Sequence, residues 1–391
     1  MLQEHVRAIS WRFKSSLRHR YFLAVVLRAL ASNPPFAKQK LAGKSLYPHL
    51  LTIFILLISM NFRKLYKILE PEPAFRKKQV EQAVFEAAIK SWEEATVLPK
   101  NLRSKLEKEC PLEIAVKKTF KAGKNAIKAE FDFAGDRVEA VLMRHPDRQT
   151  VCVSSQAGCP LGCAFCATGQ QGFKRNLTAW EIIEQVLFFK RLAKERQKDI
   201  NNVVFMGMGE PFLNYEAVSR AIGILNDPKK FNLGARRISV STVGLAPEIK
   251  RLGKNWPQVN LAFSLHATND RLRDQLMPIN RRYPLKKVLL AIKNYQEATN
   301  RKVMIEYLLL KNINDSEKDA RELAKLLKES LNGPLVVNLI QYNQTGEFTA
   351  SQPERAKAFK AILQKSGLET VERYRFGENI KAACGQLTGE K

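Results

Sequence analysis

Between residues 158 and 169 the chain reads GCPLGCAFCATG, which puts Cys159, Cys163 and Cys166 within eight residues. Thiolates at this spacing are ligands for zinc or for an iron–sulfur cluster. A structural zinc site takes four ligands, and a closed four-iron cluster also takes four. The loop supplies three. It leaves either a zinc site to be completed by Cys152 or a histidine, or a cubane with one iron open to a non-protein ligand.

A loop of this kind needs a rigid frame. Apolar strand-like runs recur after residue 149, at TVCVSS, NVVFMG, RISVST, VNLAFSLH, KVMIEYLLL and PLVVNLI. Helical stretches separate them. The clearest opens at Thr178, with Glu181 set to complete a capping box before IIEQVLFFKRL, and another starts at Asp315 and runs through ARELAKLLKESL. Six β/α alternations predict a parallel sheet with its chemistry in loops at the strands' C-terminal ends. The cysteine loop follows the first of these strands. Upstream, AIKAEFDF and RVEAVLMRH flank AGD with a period of two, which predicts a β-hairpin over 126–148. Residues 60 to about 110 mix charged and apolar residues, punctuated by Pro71, Pro73 and Pro99, and read as helical.

Charge narrows the partner. There are 65 Lys+Arg against 38 Asp+Glu, a net +27, which suits a polyanion such as RNA or an anionic surface. Lys117, Lys118, Lys121 and Lys124 precede the hairpin, and Arg281, Arg282, Lys286 and Lys287 lie together after Met277. Residues 1–59 hold nine basic residues and one acid, Glu4, so most of the surplus belongs to the rest of the chain. Two apolar runs there, YFLAVVLRALA and LLTIFILLISM, fall short of the ~20 residues that span a bilayer. No stable membrane partner is expected, and the fold is expected to begin near Met60. Six irregularly spaced cysteines do not form a secreted disulfide framework, so a reducing, cytoplasmic setting is expected.

The second strand runs into GMGEP, residues 207–211. Alone this would be a tight turn. Following the cysteine loop by one strand, it resembles the loop with which the radical S-adenosylmethionine (SAM) superfamily binds the SAM amino group. The segments CVSSQAGCPLGCAFCATGQQGFKRNLT, MGMGEPFLNY, LMPINRRYPL and AACGQL, in that order, resemble the RlmN/Cfr family of radical SAM RNA adenosine methyltransferases. That resemblance implies an α/β fold, a partial (β/α)6 TIM-like barrel over 149–376. A helical accessory RNA-binding domain at 60–125 and the hairpin linker at 126–148 precede it, and a tail at 377–391 follows. It implies a [4Fe–4S] cluster on Cys159, Cys163 and Cys166, and two SAM molecules per turnover. It implies 23S rRNA and tRNA as substrates and an electron donor such as a flavodoxin-type protein. QQGFKRNL, the proline of GMGEP, and SLHA look like the branch that methylates adenine C2 rather than C8. Phe376 departs from the pattern, standing where that branch has an arginine.

The resemblance also assigns roles. Cys384 is methylated on sulfur by one SAM, a radical derived from the second takes hydrogen from that methyl, and the carbon adds to the base. Glu139 matches the acceptor of the C2 proton, and Cys152 matches the thiol that releases product by forming a disulfide with Cys384. Gly209, Glu210, Ser241, Ser264, Leu265, His266 and Asn343 match SAM contacts. Taken singly these residues are unremarkable: Glu139 reads as a solvated strand position, Cys152 as inert core and Cys110 as structural. The alternatives left open are C8 methylation and a zinc-stabilised RNA-binding protein without catalysis. A chain beginning at Met60 is expected to fold and keep activity, checked by the solubility, iron content and turnover of that truncation.

Overall fold

The computed structural model describes residues 61–373 and 376–388; the extension expected at 1–59 lies outside them. The hairpin strands are the middle of a meander made by β1 (Val116–Ala122), β2 (Ala126–Phe133), β3 (Asp136–Arg144) and β4 (Gln149–Val153). Two short strands, β5 (Gln156–Gly158) and β6 (Phe173–Asn176), pair only with each other and bracket the cysteine loop. The remaining strands are β7 (Asn202–Phe205), β8 (Ile238–Thr242), β9 (Asn260–Ser264), β10 (Val303–Leu309), β11 (Leu335–Gln341) and β12 (Thr370–Glu372). Ten of them form one sheet in the order β1-β2-β3-β4-β7-β8-β9-β10-β11-β12. Pairing is antiparallel as far as β4 and parallel from β4 to β12.

All six expected parallel strands are present, as β4 and β7 to β11. Four strands escape the sequence pattern: the short pair β5 and β6, and β1 and β12. β1 lies at the sheet edge with both faces open, so burial imposes no alternation on it, and it falls in the 60–125 stretch expected to be helical. β12 is three residues long and buries only Thr370.

Before the sheet come α1 (Phe62–Ile68), α2 (Ala74–Glu81) and α3 (Lys100–Glu109). Cys110, just past α3, is buried. Its carbonyl accepts from the Trp92 indole at 2.7 Å and its thiol donates to the Asn61 carbonyl, a structural position. In the barrel, α4 (Ala167–Gln170) closes the cysteine loop. The crossover helices are α5 (Ala179–Lys194), α6 (Tyr215–Asn226), α7 (Ala246–Asn255), α8 (Asp270–Leu276), α9 (Leu285–Thr299), α10 (Glu317–Ser330) and α11 (Pro353–Lys365). The capping box at Thr178 and Glu181 forms as expected. α10 starts later than expected, because the Ser316 hydroxyl caps Asp319 N–H while Asp315 is committed to the Ser351 hydroxyl and Arg355.

A flat sheet would separate β4 from β12 by roughly 30 Å at the usual strand spacing. Cys152 on β4 and Arg373 just past β12 nonetheless line one cavity, so the parallel strands wrap around it. The partial barrel is open between the edges β1 and β12. Among the described residues no helix is long and apolar enough to cross a membrane.

The exit of β4 toward the cysteines is held from the side by α5. Gln185, fully buried, accepts from Ser154 N–H at 2.8 Å and donates to the Ser154 carbonyl at 3.1 Å. Gln185→Leu strands both buried backbone groups and is expected to cost about 2–4 kcal/mol of stability. Urea denaturation of the variant checks this.

Candidate active site

The cavity at the strands' C-terminal ends has a volume of about 210 Å³ and is lined by the loop cysteines, Cys152 and Cys384 together. Cys159 and Cys163 are buried and Cys166 is half-buried. The loop is pinned on every side. Cys159 N–H donates to the Gly172 carbonyl, Ala164 N–H to Leu276 and Ala167 N–H to Gly385. Among the described residues no group of three or more His, Cys, Asp or Glu side chains is arranged around one metal ion. A cubane asks for something else, since each thiolate binds a different iron. Three thiols on one loop beside an open cavity fit that demand.

The GMGEP loop lies against this one. Gly207 approaches β4 so closely that a Cβ would stand 2.6 Å from Ser154 Oγ and 2.8 Å from the Val153 carbonyl. Gly209, at φ +95°, would drive a Cβ into Gln156. Glu210 is 3% exposed; its two oxygens accept from Phe212 N–H and Val243 N–H, each at 3.0 Å. Burial pushes its carboxyl up to about 7, against the pull of those amides and the Thr242 hydroxyl.

Ser241 and Ser264 end neighbouring strands with their hydroxyls 3.5 Å apart. His266, in the left-handed region at φ +57°, accepts from Leu308 N–H through Nδ1, which leaves Nε2 carrying the proton. Burial, then the charge on Arg273, pull its pKa down to about 3, so the ring is neutral. Asn343 donates to the Cys384 carbonyl at 3.0 Å, while its buried Oδ1 has no partner among the described residues. Leu265 differs from its neighbours. Its side chain is fully buried and does not line the cavity, and its N–H is taken by the Glu306 carbonyl.

Cys384 is exposed on the tail, and Cys152 is buried on β4. Both thiols are free, so the expected disulfide between them is not formed. Burial, then Cys384 itself, push the Cys152 thiol up to about 12. Although the Cys384 residue is exposed at the mouth, it lines the cavity, where desolvation raises its thiol as well, and the Arg373 guanidinium opposes the rise at both. Arg373 is held by Glu306 at 3.2 Å and by the Met206 sulfur at 3.0 Å. Phe376 packs edge-on against His145 with centroids 4.7 Å apart.

Glu139 is not the solvated strand residue its local sequence suggests. It is 3% exposed, paired with Lys128 at 2.7 Å, and accepts from Thr388 N–H at 2.9 Å. It lies beside the cavity rather than in its wall.

Four residues of the site have no sequence signal of their own: Lys128, Glu306, Arg373 and Arg273. Arg273 is fully buried behind the mouth. It donates to the carbonyls of Leu265, Val243 and Ser264 and to Asn280, tying the loops after β8 and β9 together. Asn280 belongs to LMPINRRYPL, and its amide reaches Asp270 and Asp274. A motif that looks like a basic stretch therefore contributes a buried brace.

A three-thiol loop, a glycine-rich acidic loop and a wrapped parallel sheet define a radical SAM fold. The Radical SAM superfamily pattern matches residues 153–324. A probable dual-specificity RNA methyltransferase RlmN from Dictyoglomus thermophilum is 42% identical, with 81% of this chain and 91% of the relative covered. One from Syntrophomonas wolfei is 43% identical, with 82% and 92% covered. The crystal structure of a radical SAM methyltransferase from Sphaerobacter thermophilus superposes with a TM-score of 0.79 at 42% identity, covering 85% of this chain and 99% of that one. The chain belongs to the RlmN/Cfr family and is a radical SAM RNA methyltransferase of the RlmN type.

Membership implies a [4Fe–4S] cluster and SAM. The site fits both. Cys159, Cys163 and Cys166 would hold the cluster, and the unpartnered Asn343 oxygen, the serine pair and Glu210 offer acceptors to a polar, cationic cofactor. Replacing any of the three cysteines with Ala is expected to collapse iron content and SAM cleavage together, read by iron and sulfide analysis after anaerobic reconstitution. Arg273→Met leaves several buried acceptors without a donor and is expected to cost about 3–5 kcal/mol, read by denaturation.

Proposed function

We propose that this chain methylates C2 of an adenosine in 23S rRNA and in tRNA through an S-methyl group carried on Cys384. The observation that carries the reading is the shared mouth, where the carrier thiol, the buried thiol Cys152 and the three loop thiols face one cavity. Two SAM molecules are used per turnover, and with the cluster they supply the methyl group and the radical chemistry that an unreactive ring carbon requires.

The protein's own groups do the rest. Glu210 and Asn343 bind the cofactor's amino acid end, while Ser241, Ser264, His266 and the backbone at Gly209 line the remainder; Leu265, its N–H and carbonyl both engaged, supports the wall from behind. Cys384 presents its methyl-bearing sulfur to the adenine; that methyl gives up one hydrogen atom to the SAM-derived radical, its carbon bonds to C2, and the odd electron of the adduct would pass back to the cluster. Glu139 takes the C2 proton. Cys152, once deprotonated, attacks the Cys384 sulfur, forming the S–S bond. The S–C electron pair passes to the methylene carbon, which takes a proton and becomes the methyl group.

RNA is gathered by the basic surface. Lys118, Lys121 and Lys124 are exposed around the edge strand β1, and Arg281, Arg282, Lys286 and Lys287 are exposed near the mouth. Lys117 contributes less, because Asp132 pairs with it at 2.5 Å. The helical segment before β1 serves as an accessory RNA-binding unit. A flavodoxin-type protein provides electrons, in the cytoplasm.

Mass spectrometry of adenosines after reaction with each RNA tests the substrate and the position; 8-methyladenosine, or no product from either RNA, overturns the reading. Cys384→Ala is expected to cleave SAM yet form no bond to RNA, and Cys152→Ala to accumulate protein covalently attached to RNA. A denaturing gel with labelled RNA distinguishes the two.

Because the Cys152 thiol is held up near 12, it is protonated at neutral pH and its thiolate fraction grows as pH rises. Decay of the covalent band is expected to quicken roughly tenfold per pH unit between pH 7 and 9. A flat profile would mean that a protein base removes the thiol proton.

A further inference from the structure

The register of the first four strands lays two rows of side chains on one face of the sheet. Phe120, Lys128, Val141 and Cys152 are successive partners across β1, β2, β3 and β4. Lys118, Glu130 and Glu139 form the next row. Val141 and Cys152 line the cavity, so this is the cavity's face. Lys128 and Glu139 are diagonal neighbours on it, close enough for long side chains to meet.

They meet as a buried ion pair, Nζ to Oε1 at 2.7 Å, with Lys128 6% and Glu139 3% exposed. The Phe120 ring lies 5.1 Å from the same ammonium. Glu130 stands opposite Glu139 and is paired with Arg137 at 3.6 Å, so Lys128 is the cation committed to Glu139. An apolar pair of similar volume would fill this space without desolvating two charges, so the stability of the sheet does not explain the pair.

The tail does. Lys128 Nζ also donates to the Lys381 carbonyl at 3.3 Å, and Glu139 Oε2 accepts from Thr388 N–H at 2.9 Å. Lys381 lies three residues before Cys384 and Thr388 four residues after it. One ion pair thus grips the carrier segment on both flanks.

We propose that Lys128 is a positioning residue for methyl transfer: through Glu139 it docks the tail that carries Cys384 and aims the carboxylate that accepts the C2 proton. The second half rests on the reading of Glu139 as that acceptor. Oε2 is occupied by Thr388 N–H while the tail is docked. Release of Thr388 therefore frees the acceptor, and tail movement and proton acceptance are coupled at one atom. Lys128 transfers nothing itself.

The test compares Lys128→Met, Lys128→Arg and Glu139→Gln in the reconstituted full chain. Hydrogen exchange is followed by mass spectrometry over residues 381–388, and labelled RNA is followed on denaturing gels. Lys128→Met is expected to keep its iron, to exchange the tail amides at least about tenfold faster and to accumulate covalently attached RNA. Lys128→Arg should restore both readouts, which a role in packing alone would not require. Wild-type exchange and turnover in Lys128→Met overturn the proposal. If Lys128→Met does not fold, Lys128→Gln replaces it under the same criteria, and wild-type behaviour there is equally fatal. If Glu139→Gln turns over normally while Lys128→Met loses tail protection, the acceptor reading fails and the docking role stands. If Glu139→Gln stalls with RNA attached while Lys128→Met behaves as wild type, Lys128 alone is refuted.

Discussion

One backbone hydrogen bond, from Ala167 N–H to the Gly385 carbonyl, joins the residue after Cys166 to the residue after Cys384. It ties the end of the cysteine loop to the segment that holds Cys384, the two lying more than two hundred residues apart in sequence. The Thr168 hydroxyl adds a second tie, donating to the Leu387 carbonyl at 2.6 Å. Thiol chemistry at a shared mouth depends on this closeness, because a radical generated far from its target would react with something else.

The bracing is polar and buried, which gives it direction. Gln185 fixes the exit of β4 from one side and the Ser154 hydroxyl fixes it from another, donating to the Glu139 carbonyl and accepting from Met208 N–H. Ser154 thereby links the hairpin that carries Glu139 to the loop that carries Glu210. Arg273 does the same for the loops after β8 and β9. Hydrocarbon packing could fill these volumes, but it would not specify which carbonyl points where. The cost of burying the guanidinium shows in its pKa, pulled down to about 10 chiefly by desolvation.

The tail is held differently. Its contacts with the body are mainly single hydrogen bonds to Asn343, Thr168, Ala167, Lys128 and Glu139, and Cys384 itself is exposed. Few apolar side chains anchor it, with Ala382, Ala383 and Leu387 buried. A segment secured this way opens at lower free energy than the sheet beneath it. That suits the role proposed for Cys384, whose sulfur would face first a cofactor, then a base, then Cys152.

Much was legible without coordinates. The loop cysteines announce a metal centre by spacing, and the six parallel strands show themselves by composition, because strands covered by helices must be apolar throughout. Motif resemblance then assigned Glu210, Cys152 and Cys384 to places that the fold brings to one cavity. What stayed hidden was set by long-range covering. AIKAEFDF alternates apolar and polar residues as a half-exposed strand does, yet Lys128, Glu130 and Asp132 are only 4–6% exposed. A period of two reports that two faces differ, and cannot report that a distant tail will lie over the polar one. The ion pair of Lys128 with Glu139 follows from the hairpin register, and the grouping of Arg373 and Glu306 with the two thiols follows from the sheet's wrap. Local sequence determined the main strands and helices and the cysteines of the loop, while the edge and bracketing strands β1, β5, β6 and β12 were left to tertiary pairing. Only the tertiary structure decided which charges would be buried together, since burial is a property of what packs above a residue and not of the residue itself.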